Sequence, residues 1–135
     1  MNLLIVENDL VVSKVWKKTF GKRFNVIQVY HAPEAIQILE STPIDLIILD
    51  IRLNGPRPSG LEVYDYVRNN MQSDIPIAFI TGLEDSVDLY QQAAEVTEAD
   101  KKKQQFTVLI RKPIRIKELA DILDKMSKKD FSAIY

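Results

Sequence analysis

The chain has 135 residues, 46% hydrophobic and 27% charged, the balance of an ordinary globular protein and the size of one domain. A net charge of −1 builds in no general attraction to nucleic acid or to an anionic membrane, so neither is expected as a direct partner. The absence of cysteine excludes disulfides and thiolate sites, and the apolar runs are too short to span a membrane or form a secretory leader, so a cytoplasmic setting is expected.

Short apolar runs alternate with amphipathic stretches from end to end. The first run, Leu3–Val6, is followed by Glu7, Asn8 and Asp9. Asp9 is suited to cap a helix carrying Val12, Val15, Trp16 and Phe20 on one face, closed by Gly21. Val26–Val29 ends in Tyr30 and His31, and the single histidine reads as a loop residue. Pro33 fits the first turn of a second helix with Ala35, Ile36 and Leu39 inward. Leu46–Leu49 runs straight into Asp50, and Ser59 or Gly60 then opens a helix bearing Leu61, Val63, Tyr64 and Val67. Ile75–Ile80 leads to Thr81 and Gly82, followed by a long helix from Asp85 or Ser86 to about Lys103. Phe106–Ile110 leads to Arg111, Lys112 and Pro113, and a fifth helix presents Ile116, Leu119, Ala120, Leu123 and Met126. Tyr64, Tyr66 and Tyr90 have no evident chemical partner and read as surface or rim packing.

Apolar runs without polar alternation are strands buried on both faces. Five of them alternating with five helices imply an α/β fold, a single doubly wound parallel sheet with helices on both faces, for which the strand order 2-1-3-4-5 is expected. Such sheets bind ligands beyond the carboxyl ends of their strands. The residues there are Glu7, Asn8, Asp50, Thr81 and Lys112: oxygen donors, a hydroxyl and an ammonium. That set suits a hard divalent cation such as Mg²⁺, an aspartate nucleophile and a lysine that neutralises a phosphoryl group.

The segments "LLIVEND", "LIILDIRL", "IAFITG" and "LIRKPI", in this order and spacing, resemble the response-regulator receiver domain of two-component signalling. The likeness implies a flavodoxin-like receiver over residues 1–129 with a short tail, 130–135, that either docks or is disordered. It implies Asp50 as phosphoryl acceptor from a sensor histidine kinase or phosphotransfer protein, with Thr81 and Lys112 contacting the phosphoryl group. It further implies Glu7, Asn8, Asp50 and the Arg52 carbonyl as Mg²⁺ ligands, and a cis Lys112–Pro113 peptide. The output implied is a helix 4–strand 5–helix 5 surface that switches to control an effector protein or domain, in a monomer or weak dimer, rather than enzymatic turnover.

This chain departs from the family pattern at four places. Asn8 stands where a charged ligand is usual, which predicts weaker metal binding. "NGPRPSG", residues 54–60, reads as an insertion that either tunes access to the site or is a tolerated loop. Leu109 replaces the usual aromatic three residues before the lysine. The stretch from Thr81 to Lys112 is longer than usual. Together these keep open an alternative, a degenerate receiver that binds a partner without phosphorylation.

Overall fold

The computed structural model describes residues 1–52, 59–82 and 87–131. Its strands are β1 (Asn2–Val6), β2 (Asn25–Val29), β3 (Leu46–Asp50), β4 (Ile77–Thr81) and β5 (Thr107–Arg111). All four pairings are parallel, in the order β2-β1-β3-β4-β5. The helices are α1 (Leu10–Phe20), α2 (Ala32–Ser41), α3 (Ser59–Asp65), α4 (Val87–Lys102) and α5 (Ile116–Ser127). The expected fold class is the observed one. The expected insertion at 54–60 falls mostly outside the described residues, as do the expected start of α4 at Asp85 or Ser86 and the tail beyond Phe131.

Two-residue alternation sorts the strand side chains into two cores. Leu3, Ile5, Leu46, Ile48, Ala78, Ile80, Phe106 and Val108 pack against Trp16 and Phe20 of α1 and Leu119, Leu123 and Met126 of α5. Leu4, Val6, Ile47, Leu49, Ile77 and Phe79 face the other way, onto Ala35 and Leu39 of α2, Val63 of α3, Val67 just beyond it, and Ala93 of α4. β3 and β4 are buried at every position, as strands covered on both faces must be. β2 is a correction to that expectation: as an edge strand it is only half-buried along most of its length.

Asp9 caps α1, its carboxylate accepting from the amides of Val11 (3.0 Å) and Val12 (3.2 Å). Gly21 ends that helix in the ordinary right-handed conformation (φ −63°), so a left-handed cap is not its purpose. A Cβ there would lie 2.6 Å from the Lys17 carbonyl oxygen. Among the described residues, three that are not glycine take the left-handed conformation instead: Gln72, Gln104 and Lys129, with φ of 51°, 57° and 50°.

After α3 the chain widens into a π-helical turn, Tyr66–Asn70, which carries Arg68 into the interior. The Arg68 Nε donates to Asp100 Oδ2 on α4 (3.0 Å). Its remaining nitrogens donate to the carbonyls of Ser73, Ile75 and Phe106 and to Thr107 Oγ1. Asp100 also accepts from the Tyr64 hydroxyl (2.7 Å) and from Thr107 Oγ1 (2.6 Å). Burial and the neighbouring Asp100 carboxylate push the Tyr64 hydroxyl well above its ordinary pKa. Tyr64 is thus a buried donor, not the rim residue its sequence suggests. Tyr66 packs partly buried against the α2–α3–α4 core, and Tyr90 lies under Arg111.

Gly60 lies where α3 begins and crosses the end of β3. Its amide donates to Ile51 O at 3.2 Å, and a Cβ there would sit 2.3 Å from Asp50 O and 2.8 Å from Ile51 Cα. Both neighbours are backbone and cannot rotate away. Gly60→Ala is expected to destabilise the domain by about 2–3 kcal/mol, as overpacked substitutions do. Urea unfolding checks this, and an unchanged midpoint would contradict the crowding.

Candidate functional site at the strand ends

Three side chains predicted from the strand ends meet. Lys112 Nζ donates to Glu7 Oε1 at 2.8 Å and lies 3.6 Å from Asp50 Oδ2. Both carboxylates are buried, whereas the lysine side chain keeps 31% of its surface exposed and faces the opening. The topology produces this meeting. Glu7 follows β1 and Asp50 ends the adjacent β3, while Lys112 follows β5 at the far edge and reaches across. The Lys112–Pro113 peptide is cis, as expected.

Asp50 Oδ1 accepts from the Arg52 amide (3.0 Å), which fixes the carboxylate at the strand end. Burial, together with the hydrogen-bonding and repulsive Glu7 carboxylate, pushes the Asp50 pKa up to about 8, against the opposing pull of Lys112 and the Arg52 amide. Burial alone would lower the Lys112 pKa. The hydrogen bond to Glu7 and the charges of Asp50, Glu7 and Asp9 reverse that, leaving the ammonium above its usual value.

The other expected site residues are placed less directly. Thr81 is buried at the end of β4, one residue beyond the partner of Asp50, with its hydroxyl 3.5 Å from Gly82 O, the outer limit of a hydrogen bond. Asn8 is half-buried between Glu7 and the Asp9 cap, and Arg52 is exposed. Asp9 is committed to the α1 amides, consistent with its expected role as a cap.

The donor set fits a divalent cation. Glu7 Oε2 is buried without a hydrogen-bond partner among the described residues. Among the described residues, two buried carboxylates also face a single ammonium, leaving uncompensated negative charge within that set when both are ionised. Oxygen-only donors of this kind suit Mg²⁺. No group of three acidic, histidine or cysteine side chains is assembled among the described residues, so carbonyl, amide or water oxygens would complete the coordination.

A family model for the response regulator receiver domain matches residues 3–124. The chain belongs to the response regulator receiver domain family. This receiver is 30% identical over 89 residues to the transcriptional regulatory protein YvrH of Bacillus subtilis (strain 168), covering 64% of this chain and 36% of that protein. It is 36% identical over 87 residues to the regulatory protein VanR of Enterococcus faecium, with the same two coverages, 64% and 36%. The receiver therefore spans about a third of the length of these curated relatives. Among solved structures, the signal receiver domain of a putative Luxo repressor protein from Vibrio parahaemolyticus superposes with a TM-score of 0.75 at 25% identity, covering 95% of this chain and 90% of that one. A CheY-like receiver from Methanospirillum hungatei JF-1 shares the fold with a TM-score of 0.76 at 19% identity, covering 97% of both chains. Among the described residues, no helix is long and apolar enough to cross a membrane.

The polar network around Arg68 and Asp100 went unforeseen. Its one signal was an arginine beside Val67 on a core-facing stretch, with a candidate acid 32 residues away in the polar half of α4.

Proposed function

We propose that this receiver accepts a phosphoryl group on Asp50 from a sensor histidine kinase or phosphotransfer protein and passes the change to an effector protein or domain. The observation that carries the reading is the Lys112 ammonium, 2.8 Å from Glu7 and 3.6 Å from Asp50, at the mouth of a buried acidic recess. The ionised Asp50 oxygen attacks phosphorus; a new O–P bond forms, the donor's bond to phosphorus breaks, and the leaving group keeps that electron pair. Lys112 offsets the charge of the incoming oxygens as a point charge, and the Thr81 hydroxyl donates to one of them. Glu7 and Asn8, with Asp50 and the Arg52 carbonyl, would hold Mg²⁺. When bound, the ion neutralises repulsion between the carboxylate and the phosphoryl oxygens.

The output in this reading is binding, through a surface formed by α4, β5 and α5, in a cytoplasmic monomer or weak dimer that does not itself contact nucleic acid. An added phosphoryl charge biases that surface between two states. Incubating the chain with acetyl phosphate and Mg²⁺ is expected to add one phosphoryl mass, and Asp50→Asn to add none. Asn8→Asp is expected to tighten Mg²⁺ binding several-fold, because it supplies a formal charge where an amide stands. A wild-type chain that gains no mass would favour the phosphorylation-independent interaction module. Equal Mg²⁺ affinity in the two proteins would remove the role given to Asn8.

A further inference from the structure

β5 presents three residues toward α4, two apart, and each meets α4 at a different height. Thr107 bonds Asp100 near the carboxyl end of α4. Leu109 joins the apolar cluster that holds Ala93 and Val96 in the middle of the helix and reaches Leu89 in its first turn. Arg111 places its guanidinium carbon 4.5 Å from the centre of the Tyr90 ring, in the first turn.

These three rungs differ greatly in strength. The Asp100 end is tied by a buried ion pair with side chains 4% and 3% exposed, and by two further hydrogen bonds to Asp100. The Tyr90 end is held by a stack at the rim, with Arg111 exposed and Tyr90 half-buried. An exposed cation–π contact is weak enough to be undone by a small local change. A desolvated, fully bonded ion pair is not. The weak rung is also the one beside the site. Arg111 is the register partner of Thr81, and the next residue, Lys112, donates its amide to Thr81 O at 2.8 Å. No aromatic occupies position 109 to sense the site from within β5.

We propose that the Arg111–Tyr90 stack is a latch holding the first turn of α4 to the site end of β5, and that phosphorylation of Asp50 releases that turn while Asp100 keeps the far end fixed. The releasing half rests on Asp50 being the phosphoryl acceptor. Addition of a phosphoryl group draws Lys112 and Thr81 toward position 50, and Arg111 lies between them in chain and ladder. α4 then moves as a lever about its Asp100 end, and only its first half changes what it offers to a partner.

Amide hydrogen exchange along α4, read by mass spectrometry on the full chain, tests both halves. Without phosphodonor, Arg111→Ala and Tyr90→Leu are expected to speed exchange near Tyr90 about two- to fivefold, the effect of losing an exposed cation–π contact. Exchange around Asp100 should stay as in the wild type. Tyr90→Phe keeps the ring and is expected to behave as wild type. Treating the wild type with acetyl phosphate and Mg²⁺ should reproduce the same local speeding, and should add little to Arg111→Ala. Unchanged exchange in Arg111→Ala and Tyr90→Leu, or loss of protection in Tyr90→Phe equal to that in Tyr90→Leu, would overturn the latch. Exchange in the phosphorylated wild type that is unaltered, or altered evenly along α4, would overturn the release. Intact mass of the same samples separates the two readings. A wild type with no added phosphoryl mass defeats phosphorylation and release together, while the unmodified variants still decide the latch.

Discussion

Asp100→Ala is expected to cost about 3–5 kcal/mol of folding stability, because it strands the Arg68 guanidinium in the interior with only neutral acceptors. Arg68→Ala should cost a similar amount by leaving Asp100 buried with two hydroxyl donors and no cation. A domain of this size has about 5–15 kcal/mol in total, so either change uses up a large share of it. Combining Arg68→Ala with Asp100→Ala should cost clearly less than the sum of the single changes, since neither partner then remains as an unpaired buried charge. Urea unfolding of the four proteins measures that coupling. Additive losses would mean the two residues act independently, contrary to the geometry. The network is thus weak as a source of net stability and strong as a constraint on where α4 sits, the property the latch depends on.

The sheet was legible because its signals are local. Each central strand is an uninterrupted apolar run, and the site residues follow those runs directly, so the topology alone carries Glu7, Asp50 and Lys112 to one edge. The edge strand misled for the same reason: the apolar residues of β2 read as fully buried, although β2 stands at the edge of the sheet with only β1 beside it among the described residues. The π turn gave no signal, because Leu61, Val63, Tyr64 and Val67 keep ordinary helical spacing up to and into it. Arg68 and Asp100 each look like surface charges in their own helix, and only tertiary packing reveals them as one buried pair. Glycine was an incomplete guide to left-handed backbone, since Gln72, Gln104 and Lys129 take that conformation, while Gly21 and Gly60 are needed for close approach. Asn8 and the Arg52 carbonyl are different again. Their proposed ligand roles come from the family pattern, and the metal-free geometry places them near the site without assigning them a bond to a cation.

Asp50→Asn is expected to stabilise the metal-free domain, and to do so increasingly as pH rises from about 5 to 8. The folded carboxyl is pushed up to about 8, whereas in the unfolded chain it titrates near 3.9. Between those values the folded state holds a proton that the unfolded state has released. Unfolding therefore sheds a proton, and wild-type stability falls with rising pH until the folded group itself ionises. The penalty is fully developed above about pH 8 and absent below about pH 4, and asparagine avoids it because it never ionises. A difference on the order of 3 kcal/mol by pH 8 is expected, below the full linkage value because the neighbouring charges relax. The amide keeps an oxygen for the Arg52 N–H, and Lys112 keeps Glu7 at 2.8 Å, so little else is lost. Mg²⁺ should reverse the trend in the wild type alone. It competes with the proton at Asp50, so its affinity should rise up to about tenfold per pH unit below pH 8, with one proton released on binding. Thermal unfolding of both proteins across this range, with and without Mg²⁺, decides the matter. Parallel pH profiles would show that position 50 carries no displaced titration, and with it would go the physical case for a carboxylate held in readiness for a cation.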